Sequence, residues 1–129
     1  MNADHLQQKI VIIGATSAIA EQCARLWAAD GPKHFILVGR SASKLDSVAS
    51  DLLVRSPQSR IECLTTSFTD PVAIGELATR ACMDRPVDTV LIAHGSLPSQ
   101  PECQTDLHRV GDAIEINALS PVLFAEAFA

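Results

Sequence analysis

The sequence contains no tyrosine, so no phenolic hydroxyl is available from these residues for proton transfer. It also lacks a basic block: Lys and Arg total 10 against 15 Asp and Glu, for a net charge of -5. That balance excludes nucleic acid and anionic membrane as expected partners. A small anionic ligand stays open, because local backbone N–H groups bind phosphate without net positive charge. No apolar run approaches the roughly 20 residues that span a bilayer. The N-terminus, MNADHLQQK, has no basic region followed by an apolar stretch, so no signal peptide is expected. Cys23, Cys63, Cys82 and Cys103 form no C-x-x-C pair and read as free thiols of a cytoplasmic protein. His5, His34, His94 and His108 show no ligand spacing, and no metal site is expected. Neither a strict G-x-G-x-x-G nor a G-x-x-x-x-G-K-[ST] is present, and the second absence argues against a P-loop NTPase.

What is present alternates between two periodicities. KIVII (9–13) and HFILVG (34–39) are continuous apolar runs, the pattern of strands buried on both faces. RIECLTT (60–66) and VDTVLIA (87–93) read as third and fourth strands. Between them lie helical stripes: Ile19, Ala20, Cys23, Leu26 and Trp27; then Leu45, Val48, Ala49, Leu52 and Leu53; then Ile74, Leu77, Ala78 and Ala81. Gly31-Pro32, Ser56-Pro57 and Pro86 punctuate the units, and Asp70-Pro71 reads as an N-cap followed by proline at the first helical position. After the loop HGSLPSQPE, a long helix is expected from about Thr105 to the end. The βαβαβαβα order predicts one doubly wound α/β domain over residues 1–129, with a parallel sheet and helices on both faces.

GATSAIA (14–20) comes directly after the first strand and opens the first helix. That is where an open parallel sheet binds its ligand. Gly14 permits the sharp turn, and the N–H groups and dipole of the first helix favour a pyrophosphate. Thr16 or Ser17 can add a hydroxyl or cap the helix. The loop resembles that of the short-chain dehydrogenase/reductase family, T-G-x-x-x-G-x-G, in its divergent G-A-T-S-x-I-A form. Ile13 stands in place of the threonine, Gly14 keeps the first glycine, and Ala18 and Ala20 replace the other two.

Three further stretches extend the resemblance. Arg40, in LVGR, falls where the family selects its cofactor; an arginine there implies a 2′-phosphate, hence NADP(H) in preference to NAD(H). A solvated charge at a strand end is the simpler alternative. In TTSFTDP, Ser67 and Phe68 occupy the positions that edge the adenine, while Asp70 is more simply a helix cap. In LIAHGS, Ala93, His94 and Gly95 occupy the family's N-N-A-G positions beside the nicotinamide ribose. There His94 is either a polar contact near the cofactor or a solvated loop histidine. Gly14, Thr16, Ser17 and Ile19 are implied around the pyrophosphate.

On the last helix, Leu107, Val110 and Ile114 share one apolar face with Asn117, and Pro121 lies four residues further on. The proline has no N–H for the Asn117 carbonyl, so a kink is expected there. The resemblance implies a catalytic role for Asn117, its carbonyl holding a water of the proton relay. The alternative is a structural asparagine bonded across the helix layer. The family's serine and its Y-x-x-x-K pair have no counterpart in these residues, so the resemblance covers about the first half of a family member. The implied sheet order is 3-2-1-4, truncated at an open fourth strand. An exposed edge and apolar face would make the chain alone marginal or associating.

The resemblance implies the cofactor-binding half of an NADP-dependent oxidoreductase. It would transfer a hydride between nicotinamide and a small carbonyl or alcohol substrate, as a homo-oligomer when complete. A non-catalytic dinucleotide-binding or regulatory module is the alternative, and an α/β domain with a purely structural glycine turn is the third reading.

Overall fold

In the computed structural model, residues 7–96 and 99–129 are described. The stretch 1–6 with His5, and residues 97 and 98 of the proline-containing loop, lie outside the described residues. The elements are β1 (Lys9–Ile13), α1 (Ala18–Asp30), β2 (His34–Gly39), α2 (Ala42–Arg55), β3 (Arg60–Thr65), α3 (Pro71–Ala81), β4 (Thr89–Ile92), α4 (Gln100–Thr105), α5 (Leu107–Ile114) and α6 (Ser120–Phe128). A π-turn over Glu115–Leu119 joins α5 to α6. The four strands form one parallel sheet in the order β3-β2-β1-β4, the Rossmann-like arrangement expected.

The two central strands explain the layers. Every residue of β1 and β2 is buried, and strand side chains alternate between faces. Ile10, Ile12, Phe35 and Leu37 pack with Ala20, Ala24, Ala28, Leu45, Val48 and Leu52 of α1 and α2. Val11, Ile13, Ile36 and Val38 pack with Ile74, Leu77 and Ala81 of α3 and Phe124 of α6. Helices thus cover both faces. Burying one such side chain contributes roughly 1.5–3 kcal/mol, so these two clusters supply most of the drive to fold.

Local signals set the boundaries. Ser17, Ser41 and Asp70 cap α1, α2 and α3, accepting from the N–H groups of Ala20, Lys44 and Val72. Gly31 closes α1. Two helical stripes differ from expectation. On α1, Ile19 and Leu26 are exposed, and Ala20, Ala24 and Ala28 face the sheet instead. Small residues on this face let the helix lie close to β1. On α2, Leu53 is exposed while Leu45, Val48 and Leu52 are buried.

β4 is shorter than expected and only half-buried. Among the described residues it pairs with β1 alone. The ladder nevertheless runs on at both ends, with the Asp88 N–H donating to Lys9 O at 3.0 Å and the Ala93 N–H to Ile13 O at 2.8 Å. The final helix is also not one uniform element. Ser120 donates its N–H to the carbonyl of Glu115, five residues back, in place of the four-residue step. The π-turn falls where the kink is expected, immediately ahead of Pro121. Its stripe is not buried either: Leu107 is 80% and Ile114 60% exposed.

Lys9 is the unusual member of β1, because its side chain is fully buried. Its ammonium donates to Asp84 Oδ1 at 2.6 Å and to the Arg85 carbonyl at 3.1 Å. Its backbone N–H donates to Asp88 Oδ2 at 2.7 Å. These bonds pin the α3–β4 connection to the start of β1. The Lys9 ammonium, the largest cause, holds the Asp84 carboxyl down at about 2. A carboxylate depressed in the folded state adds stability above its unfolded value, near about pH 4, and loses it as pH falls towards its folded value. Asp84 is half-exposed, so solvent screens part of this. The expected outcome is that Asp84→Asn is less stable than the parent at pH 7, and that the difference shrinks between about pH 4 and pH 2. Urea unfolding across that range measures it.

Candidate functional site

Four turns converge at the carboxyl ends of the strands, those after β1, β2, β3 and β4. They enclose a cleft of about 300 Å³ lined by Gly14, Thr16, Ser17, Gly39, Arg40, Ser41, Lys44, Phe68, Ala93, His94 and Gly95. That volume lies at the lower end of the range for small-molecule pockets, about 300–1,000 Å³.

Gly14 determines the cleft's floor. Its φ is +80°, and a Cβ there would lie 2.7 Å from the backbone N and Cα of His94. Only glycine satisfies both the torsion and the approach. The turn is then bonded to β2, since the Gly14 and Ala15 N–H groups both donate to Val38 O at 2.9 and 3.1 Å. Ser17 spends its hydroxyl on the Ala20 N–H. The Ala18 and Ile19 N–H groups, the first two of α1, meet no protein acceptor among the described residues. Such donors at a helix N-terminus, with the helix dipole behind them, suit an anion. Ala20, in place of a family glycine, is fully buried against the sheet.

The cationic side of the cleft comes from β2 and α2. The Arg40 guanidinium carbon lies 5.4 Å from the centroid of the Phe68 ring, within cation–π range. Lys44, one turn along, lines the same cleft, as does Ser41. The glycine-loop pattern does not mark Gly39, Ser41 or Lys44. Their signal is positional, because all three lie at or just past the end of β2.

His94 is not a solvated loop histidine. Its ring sits 4.6 Å from Phe68 and 5.4 Å from Phe124 by centroids, and Nε2 shares a 2.8 Å hydrogen bond with Ser120 Oγ. The imidazole tautomer sets which atom donates. Nδ1 is buried without a partner among the described residues. Burial, and then the Arg40 charge, pushes the imidazole below the ordinary histidine range, so it is neutral at pH 7.

Three expected site residues are placed differently. The Ile19 side chain is 73% exposed and does not line the cleft. Ser67 lies in a separate groove beside α3, with Cys63, Thr65 and Glu76, and its hydroxyl accepts from the N–H groups of Thr69 and Asp70. Asn117 is exposed rather than set on a buried stripe. Its side chain bridges the β4 loop, with Oδ1 accepting from the Ser96 N–H and Nδ2 donating to Ser96 O, each at 2.7 Å. Gly95 makes room for this bridge: a Cβ there would lie 3.0 Å from Asn117 Oδ1. No helix among the described residues is long and apolar enough to cross a membrane. None of the described His, Cys, Asp and Glu residues gather in threes that would hold a metal.

Two glycine substitutions should have opposite signs. Gly14→Ala imposes a left-handed alanine and a clash with backbone, at a cost of about 1–3 kcal/mol. Gly75→Ala, inside α3 with nothing within 4 Å of the new methyl, should stabilise by about 0.5–1 kcal/mol. Chemical denaturation of the two variants checks both.

A sequence profile for the family described as "short chain dehydrogenase" matches residues 8–129. A search of curated protein sequences found no match. Among solved structures, a short-chain dehydrogenase from Sphingobium yanoikuyae in complex with NADPH is 24% identical with a TM-score of 0.80, over 95% of this chain and 47% of that one. A metagenomic short-chain oxidoreductase in complex with NADP is 22% identical, TM-score 0.83, over 94% and 54%. A short-chain type dehydrogenase/reductase from Mycobacterium ulcerans is 17% identical, TM-score 0.83, over 94% and 45%. The chain therefore spans about half the length of these solved relatives. With the β3-β2-β1-β4 sheet, the turn at Gly14 and the match over residues 8–129, the chain belongs to the short-chain dehydrogenase/reductase family.

Proposed function

We propose that the cleft binds a nicotinamide dinucleotide carrying a 2′-phosphate, NADP(H), and that the chain is the cofactor-binding half of an oxidoreductase. The observation that carries this reading is the distribution of donors. The cleft is lined by Thr16 and Ser17 at the start of α1, where the next two N–H groups, of Ala18 and Ile19, meet no acceptor among the described residues, and by Arg40, Ser41 and Lys44 at the end of β2 and the start of α2. A dinucleotide has anionic groups in two places, a pyrophosphate and a 2′-phosphate, and the donors fall in two matching sets. Gly14 leaves the floor free of a side chain where backbone must come close. Support also comes from NADPH and NADP in the complexes of two solved relatives.

When bound, the cofactor supplies the hydride that is exchanged with a carbonyl or alcohol carbon. The chain's residues bind and orient it. Thr16, Ser17 and the Ile19 N–H would flank the pyrophosphate, Arg40 and Lys44 would neutralise the 2′-phosphate, and Phe68 would edge the adenine. Ala93, His94 and Gly95 form the backbone wall on the nicotinamide side. Asn117 holds that wall through Ser96. Pro121 has no N–H to offer the Asn117 carbonyl, so this oxygen is suited to hold a water of a proton relay. Ser67 caps its own turn and is assigned no more than the edge of the adenine site.

The second reading is a non-catalytic dinucleotide-binding module. It shares the cofactor site and differs in showing no turnover in the whole protein. Calorimetric titration with NADPH and NADH tests the shared part. NADPH should bind at least tenfold more tightly, and Arg40→Ala should remove most of that preference, since a hydrogen bond to a charged group is worth about 1.5–3 kcal/mol. Equal affinities, unchanged in Arg40→Ala, would overturn the assignment.

A further inference from the structure

His94 is held between opposing influences. The rings of Phe68 and Phe124 and the hydroxyl of Ser120 are contacts that an imidazolium makes well: ring faces attract cations, and Ser120 Oγ accepts from a protonated Nε2. Against the charge stand burial of the ring and the guanidinium of Arg40, which shares the Phe68 ring with it. Among the described residues, the other groups packed around His94 carry no charge of their own. The β1–α1 turn brings Gly14 and Thr16, the β3–α3 turn brings Phe68, and α6 brings Ser120 and Phe124. Lys44, on α2, is the second cation lining the cleft. Burial is the larger influence on His94 and a ligand leaves it in place; the part that a ligand can cancel is the Arg40 charge, which is also a group that a 2′-phosphate would neutralise.

We infer that binding of a 2′-phosphorylated dinucleotide is coupled to proton uptake at His94, through cancellation of the Arg40 charge. The inference rests on the proposed placement of the 2′-phosphate at Arg40. The proton comes from solvent and goes to whichever ring nitrogen the neutral tautomer leaves bare. No bond to the ligand is involved. Once charged, His94 donates from Nε2 to Ser120, fixing the direction of a hydrogen bond that the neutral ring leaves to its tautomer. The loop after β4 is then held to α6 by a charge-assisted bond, stronger than a neutral one. A dinucleotide without the 2′-phosphate leaves the Arg40 charge in place and His94 neutral. The site would thus register which dinucleotide it holds as a change at the β4 loop, beside Ser96 and Asn117.

The proton on His94 is read directly by NMR titration of its imidazole C–H resonance, assigned by its loss in His94→Gln. This readout avoids the ligand's own phosphate, which takes up a proton near pH 6 by itself. In the full chain, NADPH should move the His94 titration to higher pH, and NADH at saturation should not. Arg40→Ala without any ligand should move it the same way as NADPH, because both remove one positive charge from the Phe68 ring. Calorimetry in buffers of different ionisation enthalpy should show proton uptake with NADPH that is lost in His94→Gln. Binding of NADPH without a shift, or equal shifts with NADH, overturns the coupling and leaves the cofactor assignment standing. Failure of NADPH to bind, seen in the same calorimetry, overturns the cofactor assignment and the coupling with it.

Discussion

The carbon that Gly14 lacks would lie 2.7 Å from the backbone of His94, and the site is arranged around that approach. The turn after β1 and the loop after β4 belong to neighbouring strands, and both must leave the sheet at the same level. With no side chain between them, they close against each other. The first turn of α1 then opens towards the ends of β2 and β4. The Gly14 and Ala15 N–H groups are absorbed by Val38, so the donors left for a ligand are those one turn on. His94, whose backbone backs onto Gly14, sets its ring at 46° to Phe68 and edge-on to Phe124. A larger residue at 14 would disturb the turn, the cleft floor and the aromatic group together.

That aromatic group links the site to the far layer of the fold. Phe124 is fully buried in the core on the α3 side of the sheet and also touches the His94 ring. Ser120 and Asn117, three residues apart across the end of the π-turn, each hold one part of the β4 loop. A regular helix rotates about 100° per residue, and the π-turn adds one residue to that count, re-aiming the side chains of α6. The irregularity therefore sits where one helix must present an amide to Ser96 and a hydroxyl to His94.

Much of this is legible in the sequence. The buried strands announce themselves as KIVII and HFILVG because both faces are apolar, and Asp70-Pro71 states a helix start chemically. Gly14 is legible because its torsion and its approach to His94 admit only glycine, and Arg40 because it ends the second strand, where it lines the cleft. The α1 face is misleading because Ile19 and Leu26 outweigh the alanines in hydropathy, although close packing against a sheet favours the small residue. The stripe on the last helix looks buried because periodicity reports a shared face, not what covers it. Asn117 shares that stripe, yet its amide serves a backbone neighbour 21 residues away. His94 is the least legible, since its environment is assembled from Phe68, Ser120 and Phe124, which no local pattern joins. Lys44 and Ser41 carry no mark for the same reason: helix-start residues become site residues only when the turn beside them is placed.

The account stands on the cleft at Gly14 being a dinucleotide site oriented by two separate anion positions. A crystal structure of the chain grown with NADPH tests this most directly. The account predicts the pyrophosphate at the Ala18 and Ile19 N–H groups and the 2′-phosphate within hydrogen-bond distance of Arg40. A dinucleotide bound outside the cleft, or in it with the 2′-phosphate turned away from Arg40 and Lys44, would contradict it.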